Sequence, residues 1–148
     1  EHIAQPGRAA ARCARHQNAL AQARIGVAVE MTQQAADELA LEIEGQTKLN
    51  IRHNDQIDTG FMLNSVYTVS RTSDTYAAPQ ADGRYAGARR EKAPKLSLPA
   101  DVLALVAVAA VYAVYQESDR SFLYRAAETW TGVSGQAILK RVGREYLG

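Results

Sequence analysis

The apolar positions in the first part of the chain recur at helical spacing. Ala, Gln, Arg, Glu and Leu dominate from residue 8 to about residue 57, and these residue types favour or tolerate a helix. Gly26 and Gly45 are weak points at which one long helix could divide into two. The pattern predicts a long leading helix, with residues 1–24 as a helical N-terminal extension. Its apolar stripe follows intervals of 4, 7, 3 and 4 residues and consists of Ile25, Val29, Ala36, Leu39 and Ile43.

A turn and a short strand follow the leading helix. Asp58 or Thr59 can cap one short helical turn, because the side-chain oxygen accepts a hydrogen bond from an unpaired backbone N–H. Gly60 permits a backbone conformation that a side chain would oppose. From residue 65 to residue 71, Val and Tyr are interleaved with small or polar residues, which predicts a strand.

The segment 72–100 predicts a long loop. Pro79, Pro94 and Pro99 oppose regular structure, and the Asp-Gly pair at 82–83 is a turn signal. A loop of this length inside a compact domain is usually a functional extension or a disordered segment. Because it is rich in Arg and Lys, it is called the basic loop below.

A second apolar stretch predicts a strand that leads into a short helix. Residues 100–110 favour the strand, in which Val102 to Val108 would be buried on both faces. The whole apolar run ends at Tyr115 and covers 14 residues, which is fewer than the roughly 20 that a membrane-spanning helix needs. No membrane partner is therefore expected. Residues 122–146 predict a final helix that is interrupted near 132–135.

Together these elements predict an α+β fold. It comprises a long N-terminal helix, a small and mostly antiparallel β-sheet that carries the basic loop, and a C-terminal helix. A chain of 148 residues can bury about two-thirds of its unfolded surface, so one domain covering residues 1–148 is expected. Cys13 is the only cysteine in the sequence, which excludes an internal disulfide and fits a reducing compartment.

Charge is balanced overall but unevenly distributed. The formal net charge is +1, while acidic side chains concentrate on the leading helix and basic ones in the basic loop. Two such patches can pair within a chain or between neighbouring copies, or both can simply be solvated. The candidates for a subunit interface are Asp37, Glu38, Glu42 and Glu44 on the helix and Arg84, Arg89, Arg90, Lys92 and Lys95 in the loop.

No catalytic, cofactor-binding or metal-binding site is predicted. His2, His16 and His53 lack partners at metal-ligand spacing, and Asp55 and Asp58 beside His53 are typical of a solvated helix end. No Gly-rich phosphate loop follows a strand, and no Gly-x-Ser-x-Gly elbow surrounds a serine. An enzyme is therefore not expected.

Three short motifs resemble those of the tail-completion (neck) family of long-tailed bacteriophages. Members typically show Thr-Gly-x-Leu-Arg-x-Ser-Ile after a long first helix. They then show Tyr-Ala-x-Tyr-x-Glu-aromatic-Gly-Thr, and later Pro-Phe-Leu-x-Pro-Ala-Leu at the start of the last helix. The matching positions here are Thr59, Gly60, Ser65 and Val66, then Tyr112, Ala113, Tyr115 and Glu117, then Phe122, Leu123 and Ala126.

The chain departs from these motifs at several positions. Leu63 stands where the family usually has a basic residue, and Ser118-Asp119 replaces the aromatic-Gly-Thr step. Ser121 and Arg125 stand where prolines are usual. The resemblance covers residues 25–146 and leaves the basic loop unexplained.

The motif residues also have a physical interpretation. Tyr112 and Tyr115 are three residues apart, so on a short helix they would share one face and pack on the sheet, with their hydroxyls at the rim. Glu117 would end that helix, and Phe122 and Leu123 would anchor the final helix in the core. The motifs therefore predict mainly structural roles.

The resemblance implies a structural virion protein at the head–tail junction or the upper end of the tail. It implies a homo-oligomeric, sixfold ring around a DNA channel that joins head-side and tail-side rings and contacts other neck and tail proteins. Such a subunit would be assembled in the host cytoplasm and needs no cofactor. Two alternatives stay open: a head-side connector component, and a small DNA-binding or DNA-packaging accessory protein that uses the basic loop.

Overall fold

The computed structural model describes residues 32–56, 60–78, 91–130, 132 and 135–147. The predictions for other parts of the chain lie outside the described residues. They concern the extension 1–24, Cys13, the cap at Asp58 or Thr59, and the loop residues Arg84, Arg89 and Arg90.

The described residues form helices around a small sheet, which confirms the predicted α+β fold. The sheet has two antiparallel strands, and the final helical region contains one α-helix that ends at Thr129 and another that begins at Gly135. Within the described ranges, no helix is long and apolar enough to cross a bilayer. The elements in chain order are α1 (32–53), α2 (Phe61–Asn64), β1 (Val66–Ser70), β2 (Ala104–Val108), α3 (Ala113–Asp119), α4 (Leu123–Thr129) and α5 (Gly135–Leu147).

Helix α1 runs through Gly45 without a break, so the suggested division at that glycine is wrong. The helix ends at residue 53 rather than near residue 57 because the chain turns left-handed at Asp55, where φ is 55°. The Asp55 amide donates to the Arg52 carbonyl at 3.1 Å, and the Gln56 amide donates to the Ile51 carbonyl at 3.1 Å. This pair of bonds is the Schellman ending, with Asp in the position that Gly usually occupies.

One face of the sheet packs against the helices and forms the main core. Gly60 begins α2 with φ 75°, the left-handed conformation that glycine was expected to supply, and this turn brings Phe61 and Met62 inward. Because these side chains come from several helices and from strand β1, their packing holds the sheet against the helices. The buried members of this cluster are Ile51, Phe61, Met62, Val66, Ala110, Ala113 and Phe122.

The opposite face of the sheet is covered by the two arms of the basic loop. Tyr76 packs edge-on against Tyr67, with ring centroids 5.0 Å apart, and Leu98 contacts the same cluster. The Tyr67 hydroxyl accepts a hydrogen bond from the Leu96 amide at 2.9 Å. The Ala93 amide donates to the Ala109 carbonyl at 2.7 Å. Both described arms of the loop are therefore fixed to the sheet of their own subunit.

Strand β2 is shorter and more exposed than the sequence pattern predicts. It begins at Ala104 rather than near residue 100, and of its five residues Ala107 alone is fully buried. The expectation that Val102 to Val108 is buried on both faces is wrong. The physical reason is that β2 pairs only with β1 among the described strands, so it is an edge strand.

Helix α5 packs against the first described turns of α1. Ile138 and Val142 contact Ala35, and Leu39 and Trp130 cover the same cluster. These two α5 positions are four residues apart and therefore lie on one face of the helix.

We expect Asp55→Gly to stabilise the protein by about 1 kcal/mol, because glycine reaches the left-handed conformation without the strain that a Cβ causes. Arg52→Gly is the matched control. It places glycine inside exposed helix and should cost about 1 kcal/mol. Urea unfolding monitored by circular dichroism measures both changes. A loss of stability in Asp55→Gly would contradict the assignment of this helix ending.

Candidate functional site

The junction between α3 and α4 is organised by the carboxylate of Glu117. Its Oε2 accepts hydrogen bonds from the amides of Phe122 and Leu123 at 2.9 and 3.0 Å. Its Oε1 accepts from the Tyr124 amide at 2.9 Å and from the Ser121 hydroxyl at 2.8 Å. Helix α4 has no side-chain cap of its own, so Glu117 satisfies its first amides from the preceding helix.

These bonds decide the ionisation of Glu117. Partial burial alone would raise its pKa, but the amides of Phe122, Leu123 and Tyr124 and the Ser121 hydroxyl outweigh burial and hold the pKa below its usual value of 4.5. Glu117 was expected to end α3, whereas the helix continues to Asp119. Its role as the cap of the next helix was not predicted.

Three amide side chains near the end of α1 hold the same junction from the other side. Asn50 donates to the Phe122 carbonyl at 2.9 Å, and Asn54 donates to the carbonyls of Arg120 and Ser121 at 3.2 and 3.3 Å. Gln56 donates to the Gln116 carbonyl at 3.0 Å. Side chains from α1 and α3 thus bind both the amides and the carbonyls of residues 120–124.

The remaining motif residues that the structure describes pack in or against the core, with one exception. Ser65 accepts a bond from the Ala110 amide at 3.2 Å, and Ala113 and Phe122 are buried in the main cluster. Ala126 is buried, and Leu123 packs partly against the same cluster. These placements agree with the structural roles expected from sequence.

Tyr115 is the exception. Tyr112 is partly buried against the core, whereas 75% of Tyr115 is exposed. The expectation that the two tyrosines share a face and pack on the sheet is wrong. Val114, the neighbouring residue on α3, and Val111, in the turn just before the helix, are also exposed. We call these three residues the α3 outer face.

The four acidic interface candidates are mostly engaged within the subunit. Asp37 accepts bonds from Gln33 and from the Thr72 hydroxyl, and Glu38 pairs with Arg141 of α5. Glu44 is only 7% exposed. Glu42 is exposed on the helix surface. Asp37 and Glu44 lie on one side of α1 and Glu38 and Glu42 on another, so the four side chains do not form one continuous acidic face.

Glu44 ties α1 to the first arm of the basic loop. It accepts bonds from Lys48 at 2.6 Å and from the Thr75 hydroxyl at 2.7 Å. Burial alone would raise its pKa, but bonds from Lys48, Thr75 and Thr68 outweigh burial and lower it below 4.5. A buried carboxylate satisfied in this way is not available to a neighbouring copy.

Two of the five basic candidates lie in described residues. Lys95 pairs with Asp74 and lies over the Tyr76 ring, 5.5 Å from its centroid. The Lys95 contact lowers the pKa of Asp74. Lys92 is exposed, and its backbone bridges to Ala110. Both lysines are thus exposed, and Lys95 is paired within the subunit.

Two open apolar grooves run along β2. The first, of about 600 Å³, lies between α1, β2 and α4 and is lined by Ala36, Leu39, Ile43 and the strand residues up to Val106. The second, of about 310 Å³, continues along Val106 to Val108 and is bounded by Val114 and Leu123. The apolar stripe predicted for α1 therefore faces the sheet but leaves a groove open beside it.

Metal ligands do not cluster in the part of the chain that the structure describes. No group of three or more His, Cys, Asp or Glu side chains there could hold a metal ion. His53, the histidine that lies in these ranges, is exposed at the end of α1. The described carboxylates with the most partners, Glu44 and Glu117, act as hydrogen-bond acceptors within the fold.

We expect Glu117→Gln to destabilise the fold by about 2 kcal/mol at neutral pH, because the charge-assisted bonds to the α4 amides are lost. The folded-state pKa of Glu117 is lowered, so its stabilisation is present above pH 4.5 and is lost as the pH falls through that lowered pKa. Urea unfolding at several pH values should show the two proteins converging in acid. Glu128→Gln, on the exposed side of α4, is the control and should change little. A gap that stayed constant down to low pH would rule out this role.

We expect the opposite pH dependence for Asn50→Asp. The new carboxylate would face the Phe122 carbonyl in a buried position, so ionisation should cost more than about 2 kcal/mol. Because burial raises the pKa of such a group, the deficit should shrink as the pH falls and the acid becomes a donor. Unfolding at pH 4 and pH 8 measures the change. Equal deficits at both values would contradict the assigned Asn50 bond.

Comparison with models of protein families, with curated proteins and with solved structures finds no match for this chain. The resemblance to the phage neck family therefore depends on the short motifs alone, and most of their described residues serve the core or the α3–α4 junction. Tyr115 is the described motif residue whose side chain the fold leaves exposed, so it is the residue that bears most directly on function.

Proposed function

We propose that this protein is a structural subunit of a phage virion that acts by binding other protein chains. Its copies assemble into a ring at the head–tail junction or the upper end of the tail and join head-side to tail-side rings around the DNA channel. The motif resemblance suggests this role. The distribution of exposed apolar side chains supports a binding function independently of the resemblance.

The α3 outer face is the observation that carries the proposal. Tyr115 is 75% exposed and Val114 is 62% exposed, although both belong to the apolar run that also supplies core residues. Tyr124, at the start of α4, is also exposed. Exposed aromatic and aliphatic side chains that lie together are typical of protein interfaces, where tyrosine often contributes much of the binding energy.

Only some of the charged interface candidates are available for a contact between subunits, because several are already paired within their own chain. Glu44 and Lys95 are satisfied inside the subunit, and Glu38 is paired with Arg141. Glu42 and Lys92 are exposed and remain suitable for a contact between neighbouring copies. In a ring, such a contact joins two different patches, one from each neighbour. Opposite charges at its edge would guide assembly and make it sensitive to salt.

The test is the mass of the assembled particle, measured by light scattering and native mass spectrometry at low and moderate salt. Wild-type protein should form a discrete ring or grow toward one with concentration. Tyr115→Ala should weaken assembly by about tenfold or more and leave the unfolding temperature nearly unchanged, because its side chain is mostly exposed within the subunit. Leu139→Ala is the matched control, since Leu139 is exposed on α5, away from this face.

Three outcomes would count against the ring. Assembly that is unchanged by Tyr115→Ala would remove the α3 outer face from the interface. Assembly that is unchanged by Lys92→Glu at every salt concentration would remove the charged contact. A monomer that binds duplex DNA tightly, with an affinity that falls steeply with salt, would replace the ring with the DNA-binding alternative.

A further inference from the structure

The outer edge of β2 carries backbone groups that have no hydrogen-bond partner among the described residues. The Ala109 amide donates to the Ser65 carbonyl, which fixes the alternation of the antiparallel ladder. Leu105 and Ala107 therefore direct their N–H and C=O groups toward β1. Ala104, Val106 and Val108 direct theirs away from it. Among the described residues, no hydrogen bond is made to this outer row.

The two strands differ in the hydrogen bonding of their outer edges. On β1, the Thr68 amide donates to the Thr75 hydroxyl at 2.8 Å, and the Thr75 amide donates to the Thr68 carbonyl at 2.9 Å. The Ser70 amide donates to the Ser73 carbonyl at 2.7 Å. A turn of the chain thus covers the β1 edge. The β2 edge instead opens onto the two apolar grooves.

Strand β2 also lacks the devices that usually protect an edge. Its sequence is Ala-Leu-Val-Ala-Val, with no charge and no proline from Ala104 to Val108. Edge strands that must stay unpaired commonly carry a lysine, a proline or a bulge. An uncharged apolar edge is suited to receive another strand.

We infer that the free edge of β2 binds the β2 strand of a second copy, antiparallel, about a twofold axis at Val106. The outward residues 104, 106 and 108 are symmetric about Val106. A twofold pairing therefore places Ala104 opposite Val108 of the second copy and Val106 opposite Val106. Each of these three pairs can exchange two N–H···O bonds, so every outward group finds a partner. The result is one four-stranded sheet shared by two chains.

The side chains fit the same register. Ala104 lies beside Val108 of the second copy, and Leu105 lies beside Ala107, so a larger residue meets a smaller one in each of these pairs. The central pair is Val with Val, a combination suited to a strand surface. No like charges are brought together, because none of the five residues is charged.

This pairing goes beyond the proposed ring. A twofold contact uses the same patch on both chains and is closed after two copies, whereas a ring contact joins two different patches. The edge pairing therefore describes a dimer whose contact differs from that of the ring but lies beside the α3 outer face, because Val114 borders the groove along β2. Variants of Tyr115 test the ring, and variants of β2 test the dimer.

Residue-resolved hydrogen exchange at increasing protein concentration tests the pairing on the Tyr115→Ala variant, in which the proposed ring contact is weakened. Exchange at the amides of Val106 and Val108 should slow with concentration, in step with the mass measured by sedimentation, toward twice 16.1 kDa. The amides of Leu105 and Ala107 are internal controls, because they bond to β1 in either state. Protection of Val106 and Val108 that is independent of concentration would overturn the proposal, since the edge would then be covered by the chain's own segments. Fast exchange at all concentrations would overturn it as well.

Substitutions test the register. Ala104→Lys places a lysine opposite Val108 of the second copy and should weaken the dimer by about tenfold or more. The double variant Ala104→Lys/Val108→Glu places opposite charges together twice and should recover most of that loss. Circular dichroism confirms that each variant is folded. If Ala104→Lys left the dimer intact, or if the folded double variant were no stronger than Ala104→Lys, the twofold register would be wrong.

Discussion

The carboxylate of Glu117 is the constraint on which the second half of the fold depends. Helices α3 and α4 have seven residues each, which is too short to be stable alone. By accepting bonds from three consecutive amides, Glu117 fixes the angle at which α4 leaves α3. Asn50, Asn54 and Gln56 then attach this junction to α1. Phe122, between the two helices, is directed into the core as a result.

The α3–α4 junction also explains why α3 presents Tyr115 to solvent. With Ala113 facing the core and Glu117 facing α4, the remaining sides of this short helix carry Val114 and Tyr115 outward. The exposed groups are thus a consequence of how the junction is held, and they lie next to an open strand edge. A two-stranded sheet is marginal by itself, and further strands or packed helices are needed to stabilise it. Both features are consistent with a subunit whose surface is completed by other chains.

Sequence periodicity predicted the α+β class because the signals were local. The stripe that contains Ala36, Leu39 and Ile43 could be predicted from helical spacing alone. The left-handed turn at Gly60 could be predicted because it depends on the φ angle of a single residue, and glycine adopts that angle without strain. The capping role of Glu117 could not be predicted in this way. The amides that Glu117 binds belong to the next helix, so no motif of fixed spacing within one helix predicts this capping role. Polar residues on the buried side of α1, such as Thr47 and Asn50, were a usable signal, because buried polar side chains require partners.

The sequence analysis failed where the outcome depended on packing among elements. Alternation and hydrophobicity alone do not reveal that β2 is an edge strand, because the number of neighbouring strands is set by the tertiary arrangement. The number of acidic residues also does not reveal which of them are buried. Glu44 is buried beneath Thr75 while Glu42 is exposed, because residues two apart on a helix lie on nearly opposite sides.

The central claim is that the surface around α3 and β2 is covered by other copies when the protein assembles. A cryo-electron microscopy structure of the assembled protein at side-chain resolution tests this claim most directly. The account predicts that Tyr115, 75% exposed in the single chain, becomes buried against a neighbouring subunit. An assembly in which Tyr115 and the outer edge of β2 still face solvent would contradict it.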